Sequence, residues 1–134
     1  MPVTRSDTFA VRSERDVVMV RQAVRRLAEE QRFSLVDQTK LVTAASEIAR
    51  NTVVYGGGGS VRLEALADGA RAGLRLVFED EGPGIEDIEL ALRDGYTTGT
   101  GLGLGLGGAK RLCNEFRIDS KPGAGTRVTM VRWK

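Results

Sequence analysis

Histidine is absent from this chain, cysteine occurs once and proline three times in 134 residues. Without histidine the polypeptide cannot by itself form a Ser-His-Asp or Cys-His triad, a histidine metal site or a phosphohistidine relay. The lone Cys113 excludes an internal disulfide and argues against a secreted, disulfide-held module. Within Leu112-Cys113-Asn114-Glu115-Phe116 it reads as a small buried hydrophobe. Aromatic residues make up only 5% and are scattered, so no platform for stacking bases is visible. The net charge is only +2, which gives nucleic-acid binding no support. No apolar run approaches membrane-spanning length, and Met1–Ser13 lacks the apolar centre of a signal peptide. The expectation is a cytoplasmic protein with neither a nucleic-acid nor a membrane partner. Its 41% hydrophobic and 28% charged content is that of an ordinary globular chain, and residues 1–134 are expected to form a single domain.

What the chain has in excess is glycine. Thr97 to Gly108 carries it at 99, 101, 103, 105, 107 and 108, a density that costs backbone entropy and weakens any helix or strand. Close approach of backbone N–H groups to an anion would offset that cost. With Ala109–Cys113 read as helix, the loop delivers a phosphate to a helix N-terminus. No Gly-x-x-x-x-Gly-Lys-Ser/Thr string exists, so this is not a P-loop. Gly103, Gly105 and Gly108 match Gly-x-Gly-x-x-Gly, but a polar turn precedes them instead of the buried strand a dinucleotide fold requires. A flexible linker is the bland alternative; Leu102, Leu104 and Leu106 between the glycines argue against it.

Along the chain, Asp7–Arg12 alternates like a short strand. Ser13 caps a helix whose apolar set is Val17, Val20, Val24, Leu27 and Ala28, with Arg15, Arg21, Arg25, Glu29 and Arg32 on a solvated face. That face could instead dock an acidic partner. Ser34 caps a second helix to about Val54, with Leu35, Leu41, Ala45, Ile48 and Thr52 or Val53 turned inward. Glu47 and Asn51 stand one turn apart at the edge of that buried stripe, and Tyr55 with the glycines after it ends the helix. Ser60–Ala67 and Gly73–Asp80 form a hairpin joined by Asp68–Ala72. In its second strand Leu74, Leu76, Phe78 and Asp80 share a parity, so a carboxylate closes a core-facing row. Then come a Gly-Pro-Gly turn, a short helix over Glu86–Arg93, the glycine stretch, and strands Phe116–Ser120 and Thr126–Trp133 around a Lys121–Gly125 turn. Helices on one face of a mixed, mostly antiparallel sheet make an α+β fold, a two-layer α/β sandwich.

Four features thus occur in fixed order: Glu47-x-x-x-Asn51, Asp80-x-Gly82-x-Gly84, Gly99-Thr100-Gly101-Leu102-Gly103-Leu104-Gly105, and Gly123-x-Gly125-Thr126. The order resembles the N box and the three glycine boxes of the GHKL (Bergerat-fold) ATPases, the family of gyrase, sensor histidine kinases and MutL. Glu47-Ile48-Ala49-Arg50-Asn51, Glu79–Ile85, Asp94–Thr98 and Gly108–Leu112 are similar to the anti-sigma and switch serine kinases, above all the RsbT-type kinases of the bacterial stressosome. Tyr55-Gly56 stands where many anti-sigma relatives have His-Gly, which favours the switch-kinase branch.

The resemblance implies ATP and Mg²⁺ as cofactors and a role for each motif. Asp80 would accept the adenine amine, which disfavours GTP because guanine offers a carbonyl there. Gly82, Gly84 and Ile85 would let the purine lie against the backbone, and Thr126 would hydrogen-bond its edge. Asn51 would ligate Mg²⁺. Thr98, Gly99, Thr100, Gly101, Leu102, Gly103, Leu104 and Gly105 would wrap the β- and γ-phosphates. Glu47 would be the general base for a serine hydroxyl. The implied partners are a STAS-domain protein substrate and a PP2C-type phosphatase; the alternative is an anti-sigma factor that captures a sigma factor in a nucleotide-dependent way.

Overall fold

The computed structural model describes residues 3–85, 87–92 and 105–134. Strand β1 (Val3–Val11) leads into helices α1 (Glu14–Glu30) and α2 (Leu35–Val54). Both helices start where a serine can cap them. Ser13 Oγ accepts from the Asp16 N–H at 3.3 Å, and Ser34 Oγ accepts from the Asp37 N–H at 3.1 Å. Strands β2 (Gly59–Asp68) and β3 (Arg71–Asp80) follow, then α3 (Ile88–Ala91), α4 (Gly105–Arg111), β4 (Glu115–Ser120) and β5 (Thr126–Trp133).

Among the described residues the strands make one five-stranded sheet in the order β1-β2-β3-β5-β4, and all four ladders are antiparallel, with none of the parallel pairing that a mixed sheet allows. The register aligns Val61, Phe78, Val128 and Ile118 in one cross-strand row and Leu63, Leu76, Met130 and Phe116 in the next. These rows form the floor of a core roofed by α1, α2 and α4, with Val17, Val20, Val24, Leu41, Ala45, Ile48 and Ala109 descending onto them. Burial of this apolar surface is the main stabilising term.

The structure departs from the sequence reading at several places. β1 begins four residues earlier than Asp7, because its first half is held by the β2 ladder and not by side-chain alternation. The hairpin turn shrinks to Gly69-Ala70, since pairing runs on to Asp68 and Arg71. Leu35, expected inward, is 70% exposed at the first residue of α2. Arg25 is half-buried and not merely solvated: its guanidinium donates to Gln38 Oε1 at 3.2 Å, while Gln38 Nε2 donates to Phe33 O at 2.9 Å, so a buried amide and an arginine lock the α1–α2 corner. Helix α4 starts at Gly105 and not Ala109, because packing of Leu106, Gly107 and Ala109 against α2 and the core outweighs the poor helix propensity of glycine. Cys113 is only partly covered, although it does pack against the core as expected; burial pushes its thiol up to about 11, the direction of an inert thiol.

Candidate functional site

The site is built where the end of β3 meets the end of α2. Asp80 closes the core-facing row of β3 and pairs directly across the ladder with Thr126, the first residue of β5. Its Oδ1 accepts the Gly82 N–H at 2.9 Å, which fixes one carboxylate oxygen and leaves the other for a ligand. Two neighbouring turns are stapled over this point. The Ile85 N–H donates to Ser120 Oγ at 2.9 Å, and Ser120 Oγ lies 2.9 Å from both Gly125 O and Thr126 Oγ1. The Gly123 N–H donates to Pro83 O at 2.7 Å. Gly84, at φ +77°, presses against the Lys121 carbonyl, where a side chain would collide with backbone and be strained besides.

A cleft of about 490 Å³ opens there, with Ile88 and Ile118 as apolar walls and Asp80, Ser120 and Thr126 as its polar groups. Glu79, Asp119 and Arg127, from the opposite face of the sheet, form part of its rim. Lys121 also lines it, so the cleft sets two isoleucines beside a carboxylate, two hydroxyls and an ammonium group.

Glu47 and Asn51 lie on the flank of α2, both half-buried, beside fully covered Ile48, Ala49 and Thr52. Among the described residues neither side chain spends its polar atoms on a protein partner, so both remain available to a ligand. Arg50 between them bonds Glu14 Oε1 at 3.3 Å, tying this turn to the start of α1. The Asn51 carbonyl receives the N–H groups of Tyr55 at 2.9 Å and Gly56 at 3.1 Å. Gly56 in turn abuts the Asp80 carboxylate. One short run of backbone therefore joins the α2 pair to the strand-end aspartate.

Glu47, Asn51, Asp80, Gly82, Gly84, Ile85, Gly105 and Thr126 are all described, and the Asn51–Gly56–Asp80 contact brings the helix and strand groups together. Thr98, Gly99, Thr100, Gly101, Leu102, Gly103 and Leu104 lie outside the described residues. The segment they belong to re-enters at α4, which packs on α2. Lys110 and Arg111 sit at the C-terminal end of that helix, about 7.5 and about 9 Å along its axis from Gly105. Sequence reading missed two residues. Gly56 passed for a helix stop within a run of glycines, and Ser120 for an ordinary strand end. Gly56 drew notice only through the Tyr55-Gly56 pair that stands at a His-Gly position of relatives, and nothing in the sequence sets Ser120 apart.

Asn51 fits a magnesium ion as a single neutral oxygen ligand, since its amide is unengaged and no cluster of three or more His, Cys, Asp or Glu exists among the described residues. Such an ion would draw its remaining ligands from phosphate and water, as Mg²⁺ commonly does.

Comparison with known proteins matches residues 36–134 to the family model "Histidine kinase-, DNA gyrase B-, and HSP90-like ATPase". The chain is similar to the serine/threonine-protein kinase RsbT of Bacillus subtilis, at 44% identity over 92% of each chain. It is also similar to the anti-sigma F factor of Clostridium kluyveri, at 32% identity over 74% of this chain and 72% of that one. Among solved structures, the RsbU and RsbW domains of a Mycobacterium tuberculosis protein superpose with a TM-score of 0.66 at 21% identity, covering 98% of this chain and 33% of that one. That last likeness is one of fold.

Proposed function

The chain belongs to the histidine kinase-, DNA gyrase B- and HSP90-like ATPases and is a protein serine/threonine kinase, and from that premise we propose that it transfers the γ-phosphoryl group of Mg-ATP to a serine of a STAS-domain partner in the cytoplasm, then activates a PP2C-type phosphatase. The observation that supports this reading is the junction of the cleft at Asp80 and Thr126 with an unengaged Glu-Asn pair through one backbone contact.

In this reading Asp80 accepts the adenine amine and Thr126 contacts the same edge of the base. Guanine would set a carbonyl against the carboxylate and leave two acceptors unsatisfied, so ATP is preferred. Asn51 holds Mg²⁺, which neutralises phosphate charge when bound. Glu47, one turn away, accepts the proton of the incoming serine hydroxyl as its oxygen attacks phosphorus. The segment 98–105 supplies backbone N–H groups to the β- and γ-phosphates.

A second reading, sigma-factor capture, is favoured by one observation. Helix α1 exposes Val18 and Met19, at 46% and 51%, among arginines, and exposed apolar residues framed by charge suit a protein partner. Calorimetry with Mg-ATP, followed by radiolabel transfer to a purified STAS-domain protein, tests the main reading. Binding with serine phosphorylation is expected. Absence of binding, or retention of a sigma factor with no STAS protein retained, would overturn it.

A further inference from the structure

Gly56 and Gly57 are neighbours in sequence yet glycines for opposite reasons. Gly57 adopts φ +73° and has nothing within 4 Å of where a Cβ would stand. Its requirement is conformational, the left-handed backbone that ends α2. Gly56 shows no such dihedral. A Cβ there would lie 2.5 Å from Asp80 Oδ2 and 2.7 Å from Asp80 Cβ, far inside van der Waals contact. What Gly56 supplies is therefore room, and the room is filled by the Asp80 carboxylate. Gly82 closes the other side: its own Cβ would stand 2.7 Å from both Cα and O of Gly56, and its N–H holds Asp80 Oδ1.

We infer that Gly56 is a specificity-determining positioning residue, whose missing side chain lets Asp80 keep the one rotamer that reads the purine. This rests on the assignment of Asp80 to adenine. A methyl at position 56 collides with the Asp80 side chain from its Cβ outward, so the strand end shifts and the carboxylate turns toward another staggered well, which breaks the Gly82 bond and turns the acceptor away from the base. ATP then loses its amine contact, and GTP is relieved of facing a carboxylate. Both changes push discrimination the same way. Because the Gly56 N–H also bonds Asn51 O, the same residue couples the base end of the site to the helix carrying Asn51 and Glu47.

The test compares the full chain with Gly56→Ala and Gly57→Ala, reading ATP and GTP affinity by calorimetry and the nucleotide-free unfolding midpoint. Gly56→Ala is expected to weaken ATP at least tenfold and to cut the ATP-over-GTP ratio at least fivefold. Gly57→Ala is expected to lower the midpoint and keep the ratio. An unchanged ratio in Gly56→Ala, or an equal loss for both nucleotides, overturns the inference and leaves Gly56 a purely structural glycine. Should that variant fail to fold, Gly82→Ala crowds the Gly56 backbone itself and displaces it relative to Asp80. Retention of the ratio there counts equally against it. Wild-type protein that shows no preference for ATP overturns the reading of Asp80 itself, a failure visible before any variant is measured.

Discussion

Arg132 and Asp37, 95 positions apart, meet at 2.8 Å across the floor of the core. The same guanidinium donates to Leu112 O at 2.8 Å, so one residue of β5 pins the start of α2 and the end of α4 together. The two elements it fixes are the helix carrying Glu47 and Asn51 and the helix that receives the glycine segment. The Arg132 side chain is only 15% exposed, and the hydrogen bond from Arg132 holds the Asp37 carboxyl below the usual carboxylate range.

Arg132→Met should cost about 1–3 kcal/mol at neutral pH, since it strands Asp37 and the Leu112 carbonyl. A carboxylate with a depressed folded pKa contributes stability above its unfolded value near 4, and that contribution fades as pH falls through the folded value. The gap between wild type and variant should thus be full at pH 7 and narrow below about pH 4. Urea unfolding at pH 7 and pH 3 measures it; a gap of the same size at both would remove the ion pair from the account.

Ser120→Ala should leave the Ile85 N–H and Thr126 hydroxyl without their shared partner, an expected loss of about 1–2 kcal/mol concentrated at the base end of the cleft. KM for ATP is expected to rise several-fold while kcat at saturating ATP stays within twofold. Steady-state kinetics with varied ATP separates the two.

Glu47→Ala should lower phosphoryl transfer by about 10²–10⁴-fold, the usual span for a lost general base, with ATP affinity nearly unchanged. Radiolabel transfer and calorimetry on the same preparation check both halves, and undiminished transfer would withdraw the base assignment.

Glu64, 9% exposed on the sheet face away from the helices, accepts from Arg75 at 2.6 Å and lies 3.4 Å from Arg62. The hydrogen bond from Arg75 lowers its pKa despite burial. Glu64→Gln should destabilise by about 1–3 kcal/mol. Asp119→Asn, in the exposed pair with Arg117, should change stability by less than about 0.5 kcal/mol. Paired thermal melts give the comparison.

Local chemistry was enough to place most elements. Serine caps at 13 and 34, three-four spacing in α1 and alternation in β3 act within a few residues, so they are readable from order alone. The motif residues were readable too, because Glu47 with Asn51 and Asp80 with Gly82 are near neighbours in the chain. What tertiary structure alone decided is how distant segments touch. That Arg25 serves a buried amide, that α4 begins among glycines, that Ser120 ties two turns and that Gly56 makes room for Asp80 each depend on pieces from 13 to more than 50 residues apart. Contacts at that separation arise only when the sheet and helices pack, and a glycine's need for space cannot be seen until the atom filling it is in place.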